Sequence, residues 1–110
     1  MAQETTHTEL AERLRRRLLS TGVIDADLRS GAMEAGGGRD EQLTPPCDVL
    51  ARTIGAASYR VTDAQVAAVR DALGSDKAAF EVVMSASVGA GLSRWNAASR
   101  AIRKATDATR

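Results

Sequence analysis

The stretch FEVVMSASVGAGLSRWNAA, residues 80–98, decides the fold of this chain. Its mixture of branched apolar residues with alanine, serine and glycine suits a membrane segment, a phosphate-binding glycine loop or a closely packed helix. A capping residue, Ser75, precedes it, and Asp76 is placed to complement a helix dipole. Large apolar residues then recur at three- and four-residue intervals, which predicts a helix of about seven turns with one broad apolar face. These residues are Phe80, Val83, Met84, Val88, Leu92, Trp95 and Ile102.

A second line, made of small residues, runs along the same predicted helix. Ser85, Gly89 and Ser93 follow one another at a spacing of four, and such a row lets another backbone approach closely. Glycines in a helix cost about 1 kcal/mol each in propensity, so dense packing must compensate there. The phosphate-loop interpretation fails because the glycines lie mid-helix. The membrane interpretation fails because no apolar run approaches the ~18 to 20 residues that span a bilayer.

Composition indicates one globular domain, residues 1–110, with 44% apolar and 26% charged residues. Because only 3% of the residues are aromatic, the core must consist mainly of aliphatic side chains and alanine, which favours close-packed helices. A net charge of +1 gives no general attraction to nucleic acid, so we expect neither a nucleic-acid nor a membrane partner. The opening MAQETTHTE lacks the pattern of a secretory signal, and we expect a cytoplasmic location.

Local signals predict the helices that precede the long one. Thr6 and Glu9 have capping-box spacing and predict the start of a first helix, whose arginine-rich face we interpret as solvated. A short, weakly patterned helix follows and ends in a flexible glycine-rich loop at residues 36–38, interpreted as a hinge or linker. Thr44 before two prolines predicts the third helix, and Thr62 with Gln65 the fourth. The predicted fold is therefore an all-α domain of about five helices, the last one long. Residues 44–105 are expected to form its core, and residues 1–43 precede that core.

Residues 59–102, YRVTDAQVAAVRDALGSDKAAFEVVMSASVGAGLSRWNAASRAI, carry a family resemblance. An aromatic residue with RVTD, a short helix, a turn with an acidic residue, and FE opening an alanine- and glycine-rich helix follow in that order. This order resembles the C-terminal part of small actinobacterial proteins related to carboxymuconolactone decarboxylase and the AhpD-like alkylhydroperoxidases. The resemblance implies an all-helical fold that forms oligomers.

The redox pattern of that family, a glutamate followed on one helix by CxxC and a histidine, is missing. If Glu81 is the family glutamate, the spacing places Ser93 and Asn96 at the two cysteines and Arg100 at the histidine. None of these can exchange disulfides or relay a proton as the family residues do. A second register, which we favour, matches the segment to the last helix of longer relatives that has no redox pair. With Cys47 as the single cysteine, we expect no dithiol peroxidase activity, no cofactor and no metal.

Two functional hypotheses follow. The first is a non-redox binding or oligomerisation module, a homo-oligomer through the last helix that could hold a small apolar ligand between subunits. The second is an enzyme with altered, decarboxylase-like acid–base chemistry, in which Glu81 is catalytic and Arg94 or Arg100 binds the carboxylate of a small substrate. A plainer interpretation is that Glu81 and Arg94 cap or bridge neighbouring helices. A buried Glu81 beside a cavity favours the enzyme.

Overall fold

Every regular element within residues 2–109 is helical, which confirms the all-α prediction. The computed structural model describes the backbone of residues 2–109 and the side chains of residues 7–109. The last helix has 33 residues and is therefore about 50 Å long, close to the 54 Å long dimension of the molecule. The elements in chain order are α1 (Ala2–Ser20), α2 (Ala26–Gly36), α3 (Pro45–Ala57), a 3-10 turn (Ser58–Arg60), α4 (Asp63–Leu73) and α5 (Asp76–Ala108).

The predicted caps set both ends of α4 and the start of α5. The Thr62 hydroxyl accepts from the Gln65 amide at 3.2 Å, and the Gln65 side chain accepts from the Thr62 amide at 3.0 Å. These two bonds are the predicted capping box. Gly74 ends α4 in the left-handed conformation, with φ at 94°, which glycine adopts without steric cost. The Ser75 hydroxyl then accepts from the Ala78 amide at 3.1 Å and caps α5, as predicted.

Other boundaries differ from the sequence-based predictions. Helix α1 begins at Ala2, ahead of the expected start at Thr6, whose side chain lies outside the described residues. Helix α3 begins with Pro45 as predicted, but the Thr44 side chain makes no capping bond. Gly36, expected in a flexible loop, is a buried residue of the last turn of α2. The connection to α3 therefore begins one residue later and runs over residues 37–44.

The core lies where α2, α3 and α5 pack against one another, with α4 covering part of α3 and α5. None of its largest fully buried side chains is aromatic, as the composition predicts: they are Met33, Cys47, Leu50, Val69, Val82 and the polar Ser85. Fully buried alanines on all three helices fill the space between them. Small side chains thus allow the helices to lie close together.

Three glycines mark the positions where helix backbones touch. A β-carbon on Gly89 of α5 would overlap the carbonyl of Met33 on α2, so the predicted close crossing is present at Gly89. A β-carbon on Gly36 would overlap the backbone of Ala86 on α5, and one on Gly55 of α3 would overlap the Gly36 carbonyl. The last turn of α2 is therefore in backbone contact with both α3 and α5. This contact explains why Gly36 is held in the helix rather than in a hinge.

The face of α5 that packs against the core is its small-residue face. The buried residues of α5 are Ala78, Ala79, Val82, Ser85, Ala86, Gly89 and Ala90. By contrast, Phe80 is 57% exposed, Trp95 43% and Ile102 67%. Alanine and glycine let the helix axes approach more closely than large side chains do, so the larger residues are left on the outside.

The C-terminal part of α5 extends past the packed body of the domain. Residues 100–109 are all exposed, whereas earlier turns of the same helix contribute buried residues. No helix among residues 2–109 combines the length and the apolar character that crossing a bilayer requires.

Candidate functional site

The Glu81 carboxylate binds the loop between α1 and α2. The Val23 amide donates to both of its oxygens, at 2.9 and 2.7 Å, and the Ile24 amide donates to Oε1 at 3.1 Å. Nη1 of Arg29 lies 3.6 Å from Oε1, and the side chains of Arg29 and Glu81 are only 6% and 13% exposed. We call this group, made of Glu81, Arg29 and the amides of Val23 and Ile24, the Glu81 cluster. It joins parts of the chain that are far apart in sequence.

Arg29 completes the cluster by binding the end of α1. Its guanidinium donates to the carbonyl of Ile24 and, at 3.2 Å, to the carbonyl of Leu19. A β-carbon on Gly22 would overlap both the Arg29 guanidinium and the Glu81 carboxylate, so the absence of a side chain there makes room for the pair. Sequence analysis did not identify Arg29. The signal in the sequence that could have identified Arg29 is its position next to Leu28, which puts a charge on the apolar side of α2.

The electrostatics of the cluster favour a permanent anion. Burial raises the pKa of Glu81, but the hydrogen bonds from Val23 and Ile24 and the charges of Arg29 and Lys77 together outweigh it, so the pKa lies below its usual value of 4.5. A catalytic carboxyl group that takes up a proton near neutral pH needs a pKa raised toward about 6 to 7. The environment of Glu81 shifts the pKa in the opposite direction. It therefore suits a structural ion pair better than a general base.

Arg94 connects α5 to the end of α3. Its Nη2 donates to the carbonyl of Gly55 at 2.7 Å. The last carbonyls of a helix lack intrahelical partners, and a cation beside them also complements the negative end of the helix dipole. This contact agrees with the interpretation of Arg94 as a residue that bridges neighbouring helices.

A cavity of about 320 Å³ lies beside Arg94, lined mainly by glycines and alanines of α2, α3 and α5. Its charged groups are Arg94 and Arg52. Arg52 is already bound, since its Nε lies 3.0 Å from Asp48 and its terminal nitrogens donate to the carbonyls of Arg39 and Glu41. The other polar side chains of this lining are Arg94, whose Nη2 donates to the Gly55 carbonyl, and Ser93. Glu81 is not part of it.

The structure does not bring Glu81 together with either predicted substrate-binding arginine within one chain. Glu81 and Arg94 lie on the same helix, about 20 Å apart along its axis, and Arg100 lies about 9 Å further on. Arg100 is exposed on the part of α5 that extends past the domain. A small carboxylate substrate therefore cannot contact Glu81 and one of these arginines at once. The catalytic role of Glu81 stays a prediction.

The two remaining candidate residues, Cys47 and His7, pack against other parts of the domain. Cys47 is fully buried near the start of α3. The ring of His7 packs edge-on against Trp95, with 5.6 Å between the ring centroids. Among the described side chains, those of residues 7–109, no group of three or more histidines, cysteines, aspartates or glutamates is placed to hold a metal ion.

An uncharged row runs along α5 on the side opposite its buried residues. It follows alternating spacings of four and three residues, the heptad spacing of helices that pair with other helices. Sequence analysis identified the large residues of this row. It did not identify the small ones, although the alternating spacing can be read from the sequence. We call this row the outer stripe; its members are Met84, Val88, Gly91, Trp95, Ala98, Ile102 and Ala105.

The outer stripe is largely uncovered within the chain. Met84 is 40% exposed, Trp95 and Ile102 are exposed to a similar or greater degree, and Val88 is half-buried. A β-carbon on Gly91 would meet nothing within 4 Å. Gly91 therefore costs about 1 kcal/mol of helix propensity without any packing contact in its own chain to require it.

Comparison of the chain with protein-family models, with curated proteins and with solved structures finds no match.

Proposed function

We propose that this chain is a non-redox helical module of the AhpD-like type that works by self-association through the outer stripe of α5. The observation that carries the proposal is the continuity of that stripe. From residue 84 to residue 105, about 32 Å of helix, no ionisable residue interrupts it. Scattered exposed apolar residues are normal on a monomer, whereas a continuous apolar patch marks an interaction surface.

The extended end of α5 supports the same proposal. Residues 100–108 are helical and entirely exposed. Isolated helices shorter than about 12 to 15 residues are marginally stable in water, and most helix stability in proteins comes from packing of one face. A second copy that covers the outer stripe supplies such packing to this exposed end of α5.

The surroundings of the candidate catalytic residues favour association over acid–base chemistry. Both oxygens of Glu81 already accept hydrogen bonds, and its pKa is lowered. Arg94 is bound to the Gly55 carbonyl about 20 Å away from Glu81. The resemblance of residues 59–102 to AhpD-like proteins, which implies an oligomer-forming fold, also supports association.

Sedimentation velocity at low and high micromolar concentration tests the proposal. We expect the wild-type chain to sediment as an oligomer and Ile102→Glu to sediment as the 11.6 kDa monomer. Ile102 is 67% exposed, so the new charge disturbs the outer stripe without entering the core. Tyr59→Glu is the matched control, because Tyr59 is 84% exposed and lies off the stripe. A monomeric wild type, or an Ile102→Glu variant that associates normally, would contradict the proposal.

A further inference from the structure

We infer that two copies of this chain pair through their outer stripes with their α5 helices antiparallel, so that Trp95 of each copy lies over Gly91 of the other. This inference rests on the proposed function and adds the orientation and the register of the pair. The partner surface is thus the same stripe on a second copy, related to the first by a two-fold axis between Gly91 and Trp95.

The alternation of large and small residues favours the antiparallel orientation. Val88, Trp95 and Ile102 occupy one heptad position of the stripe, and Met84, Gly91, Ala98 and Ala105 occupy the other. In a parallel pair each residue faces its own copy, so two Trp95 rings would crowd one layer while two glycines left the next layer empty. Rotation of one helix about a two-fold axis makes the two heptad positions face each other. Trp95 and Val88 can then oppose Gly91 and Ala98, and Met84 opposes Ile102, so the bulkiest side chain of the stripe meets its smallest residue.

The register follows from the largest and the smallest member of the stripe. Trp95 needs the most room, and Gly91 offers the most, since the space above its α-carbon is empty. With Trp95 over Gly91, Val88 lies opposite Ala98. His7 of the same chain contacts the Trp95 ring, but 43% of Trp95 stays exposed and can contact the second copy. The pairing also gives Gly91 the packing role that it lacks in the single chain.

Charge at the helix ends also favours the antiparallel orientation. Lys77, exposed in the first turn of α5, continues the heptad position of Met84 and Gly91. In the inferred register it faces Thr109, the C-cap residue of the second copy's α5. The last carbonyls there lack intrahelical partners and form the negative end of the helix dipole. In a parallel pair Lys77 would instead face Lys77 of the second copy, and the two ammonium groups would repel.

Disulfide trapping with the double variant Val88→Cys, Ala98→Cys tests the orientation. Both substitutions are small and lie on the outer side of α5. Within one helix the two sites are about 15 Å apart, beyond the ~7 Å between α-carbons that a disulfide can bridge, so only links between copies form. Cleavage after Arg94 separates the two cysteines onto different tryptic peptides. Wild type is the control, because its single cysteine, Cys47, is fully buried.

We expect mild oxidation to link the peptide that contains position 88 to the peptide that contains position 98. Links of each peptide to itself would show a parallel pair and overturn the inference. A second double variant, Val88→Cys with Ala105→Cys, reports a register shifted by one heptad, and a link between those two sites would overturn the register. Sedimentation of the wild type separates the two proposals. A monomer contradicts the proposed function, whereas an oligomer without the link between positions 88 and 98 contradicts the antiparallel register alone.

Discussion

The Val23 amide donates to both carboxylate oxygens of Glu81, at 2.9 and 2.7 Å, although 58 positions separate the two residues in the sequence. This contact ties the loop between α1 and α2 to the second turn of α5. Arg29, at 3.6 Å, supplies the opposite charge. The side chains of Arg29 and Glu81 are only 6% and 13% exposed.

Glu81→Gln should lower the free energy of unfolding by about 1.5 to 3 kcal/mol, the range for hydrogen bonds to charged groups. Glutamine keeps an acceptor for the amides of Val23 and Ile24, but it leaves Arg29 without a counter-charge. Urea denaturation at neutral pH measures the change. Glu12→Gln is the control, because Glu12 is exposed on α1 and its replacement should change the stability by no more than about 0.5 kcal/mol. Equal effects of the two substitutions would contradict the structural role of Glu81.

The contribution of Glu81 to stability should depend on pH in one direction. Its pKa in the folded chain lies below the usual 4.5, so the unfolded chain binds more protons in that range. The contribution is therefore complete above pH 4.5 and is lost as the pH falls through the folded-state pKa. The stability difference between wild type and Glu81→Gln should be largest near neutral pH and should shrink in acid. A difference that grows with acidification would show that the pKa is raised instead.

Gly89→Ala should destabilise the fold, whereas Gly91→Ala should not. The new β-carbon at Gly89 overlaps the Met33 carbonyl, and the forced separation of α2 from α5 costs about 1 to 3 kcal/mol or more. At Gly91 the β-carbon meets nothing, and the better helix propensity of alanine adds up to about 1 kcal/mol. Urea denaturation at a concentration low enough to exclude association compares the two variants. If the two substitutions changed the free energy of unfolding by similar amounts, the evidence for a close crossing at Gly89 would be lost.

Trp95, the single tryptophan, should report association by its fluorescence. Its side chain is partly in water in the single chain and lies against the second copy in the pair. The emission maximum should therefore move to shorter wavelength as protein concentration rises. Ile102→Glu should keep the emission of the dilute wild type at every concentration. If the wild-type spectrum does not depend on concentration, Trp95 is not at the interface.

We expect no turnover of alkyl hydroperoxides with dithiol reductants. Peroxide reduction of the AhpD type needs two thiols, and Cys47 is both single and fully buried. A coupled assay of reductant consumption measures the rate against buffer. Activity above buffer that disappears in Cys47→Ser would contradict this expectation.

Local features of the fold could be predicted from the sequence, because the interactions that specify them lie within a few residues. Thr62 and Gln65 bond to each other across three residues, and Gly74 ends a helix through its own φ angle. The number of helices and the length of the last one follow from the same short-range signals. The close crossing at Gly89 was predictable because a glycine in a long helix needs a packing partner to offset its poor propensity.

Long-range features could not be predicted in the same way. The periodicity of large apolar residues identified a face of α5 that contains Phe80 and Ile102, yet the core uses the small-residue face. Which face of α5 is buried depends on how closely α2 approaches it. The residue pattern of α5 alone does not specify that distance. The partners of Glu81 could not be predicted either, because every residue type except proline carries a backbone N–H like those of Val23 and Ile24. Only the fold places them beside a carboxylate.

The contact of Gly36 with both Ala86 and Gly55 has a consequence for motion. Because the last turn of α2 touches the backbones of α3 and α5, it cannot slide or rotate without displacing both. The three helices should therefore open as one cooperative unit, and their most protected amides should exchange hydrogen for deuterium through a single global unfolding event. Helix α1, in which none of residues 7–20 is buried, and the exposed end of α5 should exchange through local openings at lower free energy. Exchange rates along the chain then distinguish the part of the molecule that moves as a block from the parts that fray.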